Sequence, residues 1–361
     1  MQPLKEPSVR RNDSLDYLRG LAASGVMAYH LSLFSFGESD ASTLMARIKI
    51  YGVSIFYVLS GLTLCIADSK LQLNKQSLSV FYLKRFFRIF PLLWLATFFT
   101  YLLWYEPQMY SFKHLIVNTA ILPGMIRPDA LEANGAWSIG NELFFYLFFP
   151  VLFFLNAKRP SYFKIALIAI FAVFALFTFK LLDPSIQLGY QWSKYVNPFN
   201  QFFFFAIGML MATLKKPSLL FVKWAPLLIC LFFAAIIFYP ASGEPIVLVT
   251  GITRLVLSFF TIVLCYLFYI SDFHFLSLFI RNFFKYLGEA SYSIYLIHPL
   301  VYLAMKHLSD AYLKLNVGVI ITLTVVITLL LSKVVYEKFE KYFILKGKSV
   351  INKKLFISSN K

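Results

Sequence analysis

Long apolar runs broken by short clusters of charge, proline and glycine organise this chain. Runs near 14–36, 50–67, 86–105, 137–156, 164–182, 197–214, 224–239, 246–270, 288–306 and 316–336 each approach the ~20 residues an α-helix needs to cross a hydrocarbon core. The pattern predicts an all-α, polytopic membrane helical bundle of about ten transmembrane helices. One stretch fits poorly. Residues 111–123, SFKHLIVNTAILP, are too short to span and too apolar for a free loop, so they are expected to re-enter or to lie at the interface. If they spanned, Lys158, Arg159, Lys215 and Lys216 would face outward, against the tendency of Lys and Arg to stay inside.

Composition narrows the class. The 361 residues are 59% hydrophobic and 14% charged, where a soluble chain carries about 25% charge; a soluble enzyme is excluded, and the membrane domain has to carry the function. The net charge of +17 would suggest nucleic acid in a soluble chain. Here most of the 34 Lys and Arg fall in 1–13, 68–88, 157–164, 215–223, 271–287 and 333–361, which predicts both termini cytoplasmic. Residues 1–345 read as the transmembrane domain and 346–361 as a basic cytoplasmic tail. Lys5, Arg10 and Arg11 before an apolar run imitate a signal peptide, but Asp16, Arg19 and His30 interrupt the run, so it reads as an uncleaved first span. Cys65, Cys230 and Cys265 stand singly in apolar stretches and are expected to pack in the core, with no disulfide framework or zinc site. The phenylalanines around Phe202 to Phe205 are expected to face lipid or pack between helices.

Ionisable groups inside spans are costly and mark functional sites. Arg19 and His30 are eleven residues apart, which returns to nearly the same helix face after ~16 Å of rise; they face one cavity at two depths, and Asp16 is placed to pair with Arg19. Taken singly, His30 also fits a hydrogen-bonded interior residue and Arg19 a snorkelling anchor. In FYLKRFFRIFP, Arg85 and Arg88 share a face before Pro91; they suit either a bidentate grip on phosphates or an ordinary interfacial anchor. In GAWSIGNELFFY, Trp137 is expected in an interfacial aromatic belt, Ser138 follows it, and Glu142 lies deep enough to reach the level of His30. In LGEASYSIYLIHP, Tyr292, Tyr295 and His298 make a stripe at helical spacing, suited to inter-helix hydrogen bonds or to a substrate wall. Arg254 has no evident partner. No metal-ligand cluster is present in the pattern, and no metal is expected.

These pieces, in this order, resemble the acyltransferase 3 family of multi-span membrane O-acyltransferases. The resemblance rests on LDYLRGLAASGVMAYH with its Arg–x10–His spacing, GVSIFYVLSGLTL, FYLKRFFRIFPLLW, WSIGNELFFYLFFP and LGEASYSIYLIHP, which run from residue 15 to 299. Departures are Tyr17 where Gly is common, and Tyr57 and Leu62 in the FFVLSGF-like stretch. The resemblance implies transfer of an acyl group, usually acetyl from acetyl-CoA, to a hydroxyl of a surface glycan (O-antigen or lipopolysaccharide, capsule, exopolysaccharide) at the inner membrane of bacteria. It implies that His30 is the essential histidine, Arg19 its partner, Arg85 and Arg88 the donor-binding pair, and Glu142 the glutamate of a Trp–Ser–x–x–x–Glu motif. Asp16, Trp137, Ser138, Tyr292, Tyr295 and His298 are expected around the acceptor and the cavity. His30 would serve as general base or as transient acyl carrier, with Glu142 orienting it or binding sugar hydroxyls. No permanently bound cofactor is expected. The alternatives are a transporter or flippase of a lipid-linked sugar, a non-catalytic relative, and the same chemistry with succinyl or a longer acyl group.

Overall fold

The computed structural model describes residues 12–103, 118, 133–215 and 217–359, and every regular element among them is helical. The segment 111–123, apart from Asn118, lies outside the described residues, as do Lys5, Arg10, Arg11 and Lys216. Local chemistry sets the helix ends. α1 (Asp13–Phe36) begins where the Asn12 side chain accepts the Ser14 amide and ends at Gly37, whose φ of 85° is open to glycine at little cost. Thr43 caps α2 (Leu44–Ala67) by accepting the Ala46 amide. Then follow α3 (Lys75–Leu103), with Pro91 inside it, and α4 (Ala136–Lys158), which starts after Gly135 at φ 81°. Pro160 opens α5 (Pro160–Leu176), which runs on through a π turn. Asn197 and Pro198 open α6 (Pro198–Met211), as their types favour. The rest are α7 (Leu219–Phe238), α8 (Gly251–Ile270), α9 (Leu278–Glu289), α10 (Ser291–Leu308), α11 (Val317–Val334) and α12 (Lys341–Ser359).

All ten expected apolar runs contain a helix, but seven of the described helices are long and apolar enough to cross a membrane. The shortfall has physical causes. α6 is 14 residues long, under one membrane thickness. α1 and α10 have the length but are too polar, because they carry Asp16, Arg19, His30, Ser291 and His298. α1 and α10 thus lose apolar character to polar groups that they turn toward the cavities and toward each other.

Burial separates centre from rim. The most apolar window of α2 is 72% buried, against 11% for α7, whose exposed Leu227, Leu231 and Phe233 suit lipid tails. α2 meets α6 at two glycines. A Cβ on Gly61 would stand 2.1 Å from the Phe205 carbonyl oxygen, and one on Gly208 2.1 Å from that of Val58, so the backbones touch as small residues permit. Phe202, Phe204 and Phe205 are buried; Phe202 stacks on Phe145 and Phe204 meets Phe174 edge-on, which settles packing over lipid for these three. Cys65 and Cys265 are buried, but Cys230 is exposed on α7, where a thiol passes as a small apolar group.

Two buried arginines are structural pins. Arg254 donates to the Asn200 side-chain oxygen at 2.8 Å and to the Val249 carbonyl at 3.2 Å, and lies 4.3 Å from the Phe174 ring centre; its partners sit on other elements and were invisible to helical spacing. Arg47, 2% exposed, donates to the carbonyls of Ala41, Ile236, Ile237 and Tyr239. It thereby satisfies the acceptors that the C-terminus of α7 leaves open. The last span also differs from expectation. α11 and α12 join through a π turn into a helix continuous over Val317–Leu355, 39 residues or roughly 58 Å, so the basic tail continues the last span and packs along α3, with Gly347 against Phe87.

Candidate active site

Two cavities enter the bundle. One, about 190 Å³, is lined by Arg19, Arg85, Arg88, Glu142, Tyr146 and Tyr292 among others; we call its side the arginine end. The other, about 770 Å³, is lined by His30, Tyr29, Lys49, Trp137, Trp192 and Tyr302 among others, and marks the histidine end. Arg19 and His30 both belong to α1, so the cavities are set apart by the ~16 Å of rise that eleven helical residues give. Tyr295 lines both.

At the arginine end the cations are partly neutralised. Arg19 pairs with Asp16 at 3.3 Å, one turn earlier on α1, and Asp16 is 4% exposed. Arg85 pairs with Asp68, the residue that ends α2, and Lys84 approaches the same carboxylate at 3.3 Å. Arg85 also lies 5.2 Å from the Phe81 ring centre. Its buried Nε–H has no hydrogen-bond partner among the described residues, and Arg88 stands exposed in the same wall. An unmet guanidinium donor and an exposed guanidinium one turn apart suit an anion, because a phosphate or carboxylate supplies the acceptors they lack.

At the histidine end the geometry fixes a tautomer. His298 Nδ1 lies 2.8 Å from the Ile294 carbonyl oxygen, which only accepts, so Nδ1 carries the proton and Nε2 offers a lone pair. His30 Nδ1 lies 2.8 Å from that Nε2 and therefore donates. Neutral His30 keeps its own lone pair on Nε2, and His30 lines the large cavity. The two imidazoles meet edge to edge, their planes 21° apart and their centroids 5.0 Å apart, as a hydrogen bond in the ring plane requires, and the Phe34 ring lies near parallel to His30 at 5.6 Å. His298 is fully buried. Pro299, next in sequence, removes an N–H from the same turn, so backbone acceptors are plentiful there.

The sequence-chosen residues divide between the two ends. Arg19, Arg85, Arg88, Glu142 and Tyr292 gather at the arginine end, and His30 and Trp137 at the histidine end. Glu142, for which orienting His30 and binding sugar hydroxyls were both open, lies at the arginine end beside Tyr146 and the arginines, and His30 pairs with His298 instead. Trp137 packs edge-on against Trp192 at 5.5 Å and against Tyr195 and forms part of the wall of the large cavity. Tyr292 donates to the Ile89 carbonyl at 2.8 Å, tying α10 to α3. Ser138 lines the arginine-end cavity and reaches Tyr295 at 2.9 Å. Sequence reasoning missed Asp68, Lys49 and Trp192; only Lys49, a cation next to an apolar run, left a local signal. No group of three or more potential metal ligands exists among the described residues.

The acyltransferase domain family (acyltransferase 3) matches residues 12–337. Acyltransferase MdmB of Streptomyces mycarofaciens is 28% identical over 167 residues, which cover 43% of this chain and 42% of that protein. The match therefore spans less than half of either chain. No solved structure matches.

Proposed function

Because the chain belongs to the acyltransferase 3 family and is an acyltransferase, we propose that it moves an acetyl group from cytoplasmic acetyl-CoA to a hydroxyl of a cell-surface glycan at a bacterial inner membrane. The observation that carries the reading is the hydrogen-bonded pair His30–His298, which leaves a basic Nε2 in a wide cavity, opposite a cluster of arginines at the far end of the same helix.

In this reading the arginine end faces the cytoplasm. Arg85 and Arg88 hold the donor's phosphates, Arg19 guides the pantetheine arm, and Glu142 limits the net positive charge of the cluster. An extended arm of order 15–20 Å matches the ~16 Å between Arg19 and His30. The acceptor enters from the histidine end, where Trp137, Trp192, Tyr29 and Tyr302 offer apolar faces with polar tips, a surface on which sugar rings stack. His30 Nε2 takes the proton of the acceptor hydroxyl as its oxygen attacks the thioester carbonyl. The C–O bond forms, the C–S bond breaks, and the imidazolium returns the proton to the departing sulfur. His298, accepting the Nδ1–H, holds the ring and stabilises the imidazolium, the part a carboxylate takes in a triad.

The test is acetyl-ester analysis of the surface polysaccharide, by proton NMR, in cells with the intact gene, a deletion and His30→Ala. Loss of acetyl esters in both altered strains, with the variant present in the membrane at normal level, is the expected result. Unchanged acetylation in His30→Ala would remove the central claim, and loss of glycan rather than of acetyl would favour transport.

A further inference from the structure

A thioester held beside a general base meets two nucleophiles, the acceptor hydroxyl and water. The histidine-end cavity, about 770 Å³, has room for many water molecules. Hydrolysis is balanced without any further reagent. His30 Nε2 takes a proton from water, the water oxygen bonds to the carbonyl carbon, the C–S bond breaks, and the proton passes to sulfur, giving acetate and free thiol. Nothing in the relay itself distinguishes water from a sugar hydroxyl.

The residue between the two cavities bears on that choice. Tyr295 is in the wall of both. Its hydroxyl donates to the Gly135 carbonyl at 3.0 Å and meets Ser138 Oγ at 2.9 Å, while Ser138 also reaches the Gly135 carbonyl at 3.0 Å. These three groups tie α10 to the first turn of α4. Gly135 is at φ +81°, and a Cβ there would stand 2.9 Å from the Tyr295 hydroxyl, so the turn is shaped around the phenol. Phe56 of α2 meets the same ring edge-on at 5.9 Å. The phenol is thus fastened on one side and packed on the other, in the wall that both cavities share.

We propose that Tyr295 is the residue that decides between acceptor and water: tethered to Ser138 and Gly135, it closes the passage from the donor cavity to His30 and keeps the thioester from the base until the histidine end is occupied. This rests on the acyltransferase reading of the two cavities. Bonded to Gly135 and Ser138, the phenol stands in the wall that the two cavities share; released from them, it no longer closes that wall.

The experiment measures thiol release from acetyl-CoA by the purified full chain in lipid nanodiscs with no acceptor present, alongside acetyl esters on the surface glycan in cells. Tyr295→Phe keeps the ring and removes the tether. It should raise acceptor-independent thiol release at least about fivefold, the scale of one lost hydrogen bond, and lower the acetyl esters formed at equal protein level. Ser138→Ala should shift both readouts the same way by less, because the Gly135 carbonyl still accepts from Tyr295. A double variant with His30→Ala should lose the added thiol release, showing that the leak runs through the base. If Tyr295→Phe and Ser138→Ala keep wild-type thiol release while His30→Ala abolishes transfer, the gate is overturned and the acyltransferase reading stands. If the wild type neither releases thiol nor forms esters, both fall.

Discussion

The arginine-end cavity, about 190 Å³, collects three guanidiniums and one carboxylate, with Asp16 and Asp68 behind them. The histidine-end cavity, about 770 Å³, has aromatic walls, one imidazole and the Lys49–Glu38 pair at 2.8 Å. The small chamber is built to hold charge in a fixed place, since cations inside a membrane bundle need partners. The large one is built for shape and a lone pair. The proposed reaction, between a polyanionic donor with a long arm and a bulky hydroxylated acceptor, would use both chambers, one for each substrate.

Removing His298 is the sharpest way to break that division of labour. His298→Ala leaves the His30 Nδ1–H without its acceptor and frees the tautomer, so turnover should fall about 100-fold or more, within the range that general-base catalysis supplies, with little change in KM for acetyl-CoA. His298→Gln keeps an amide oxygen near the position of Nε2 and should recover part of the loss. A KM change as large as the kcat change would show that the pair shapes the cavity instead of tuning the base.

How much of this was legible before the structure follows from what helical spacing encodes. Arg19 and His30 share a helix, so their separation along it could be read directly, as could the Asp16 partner one turn away, but the one cavity expected to hold both is two, with Arg19 in the wall of the first and His30 in the wall of the second. His298 was visible as a polar residue in an apolar run, but its contact with His30 joins residues 268 apart, and a periodicity argument fixes depth without fixing which neighbour stands at that depth. The same limit left the role of Glu142 open between orienting His30 and binding sugar hydroxyls, and hid the partners of Arg254 on α6 and α5. Each of the ten apolar runs contains a helix; seven of the described helices are long and apolar enough to cross a membrane, and α1 and α10 stand outside that set because of the polar residues they carry.

The arginine end, where the proposal puts the donor, should respond in the complementary way. Arg88 is exposed and Arg85 carries an unmet Nε–H, so Arg88→Ala, alone and with Arg85→Ala, should raise KM for acetyl-CoA about 10-fold and about 100-fold, the scale of one and two charge-assisted hydrogen bonds, with kcat changing less than about threefold. The single variant is the cleaner of the two, because Arg85→Ala also leaves Asp68 with Lys84 alone. Acetyl-pantetheine, which lacks the nucleotide phosphates, should be used equally by wild type and variants. Equal KM values for acetyl-CoA would dismiss the phosphate grip, and an equal loss with acetyl-pantetheine would recast the arginines as scaffolding.

The smallest effect concerns the rim of the histidine end. Asp40 accepts the amides of Ser42 at 2.8 Å and Gly243 at 2.9 Å, and Ala41 donates to the Gly243 carbonyl, so one carboxylate clips the loop after α1 to the loop after α7. The Ser42 amide first, then its hydroxyl and the Gly243 amide, hold the Asp40 pKa below the usual carboxylate value. A carboxyl lowered in the folded state contributes its full stabilisation above the unfolded value, about 3.9, and loses it as pH falls through the folded one. The clip should therefore be indifferent to pH between 7 and 5, by about that reference, and open below it. Hydrogen exchange at the Gly243 amide, wild type against Asp40→Asn at matched pH, should show faster exchange in the variant near neutrality and no difference once Asp40 is protonated. Because Glu38, two residues before Asp40, lines the large cavity and pairs with Lys49, opening the clip should loosen acceptor entry while leaving KM for acetyl-CoA unchanged. A protection difference that survives in acid would show that the loops are held by packing around Ile246 and Leu248 rather than by this carboxylate.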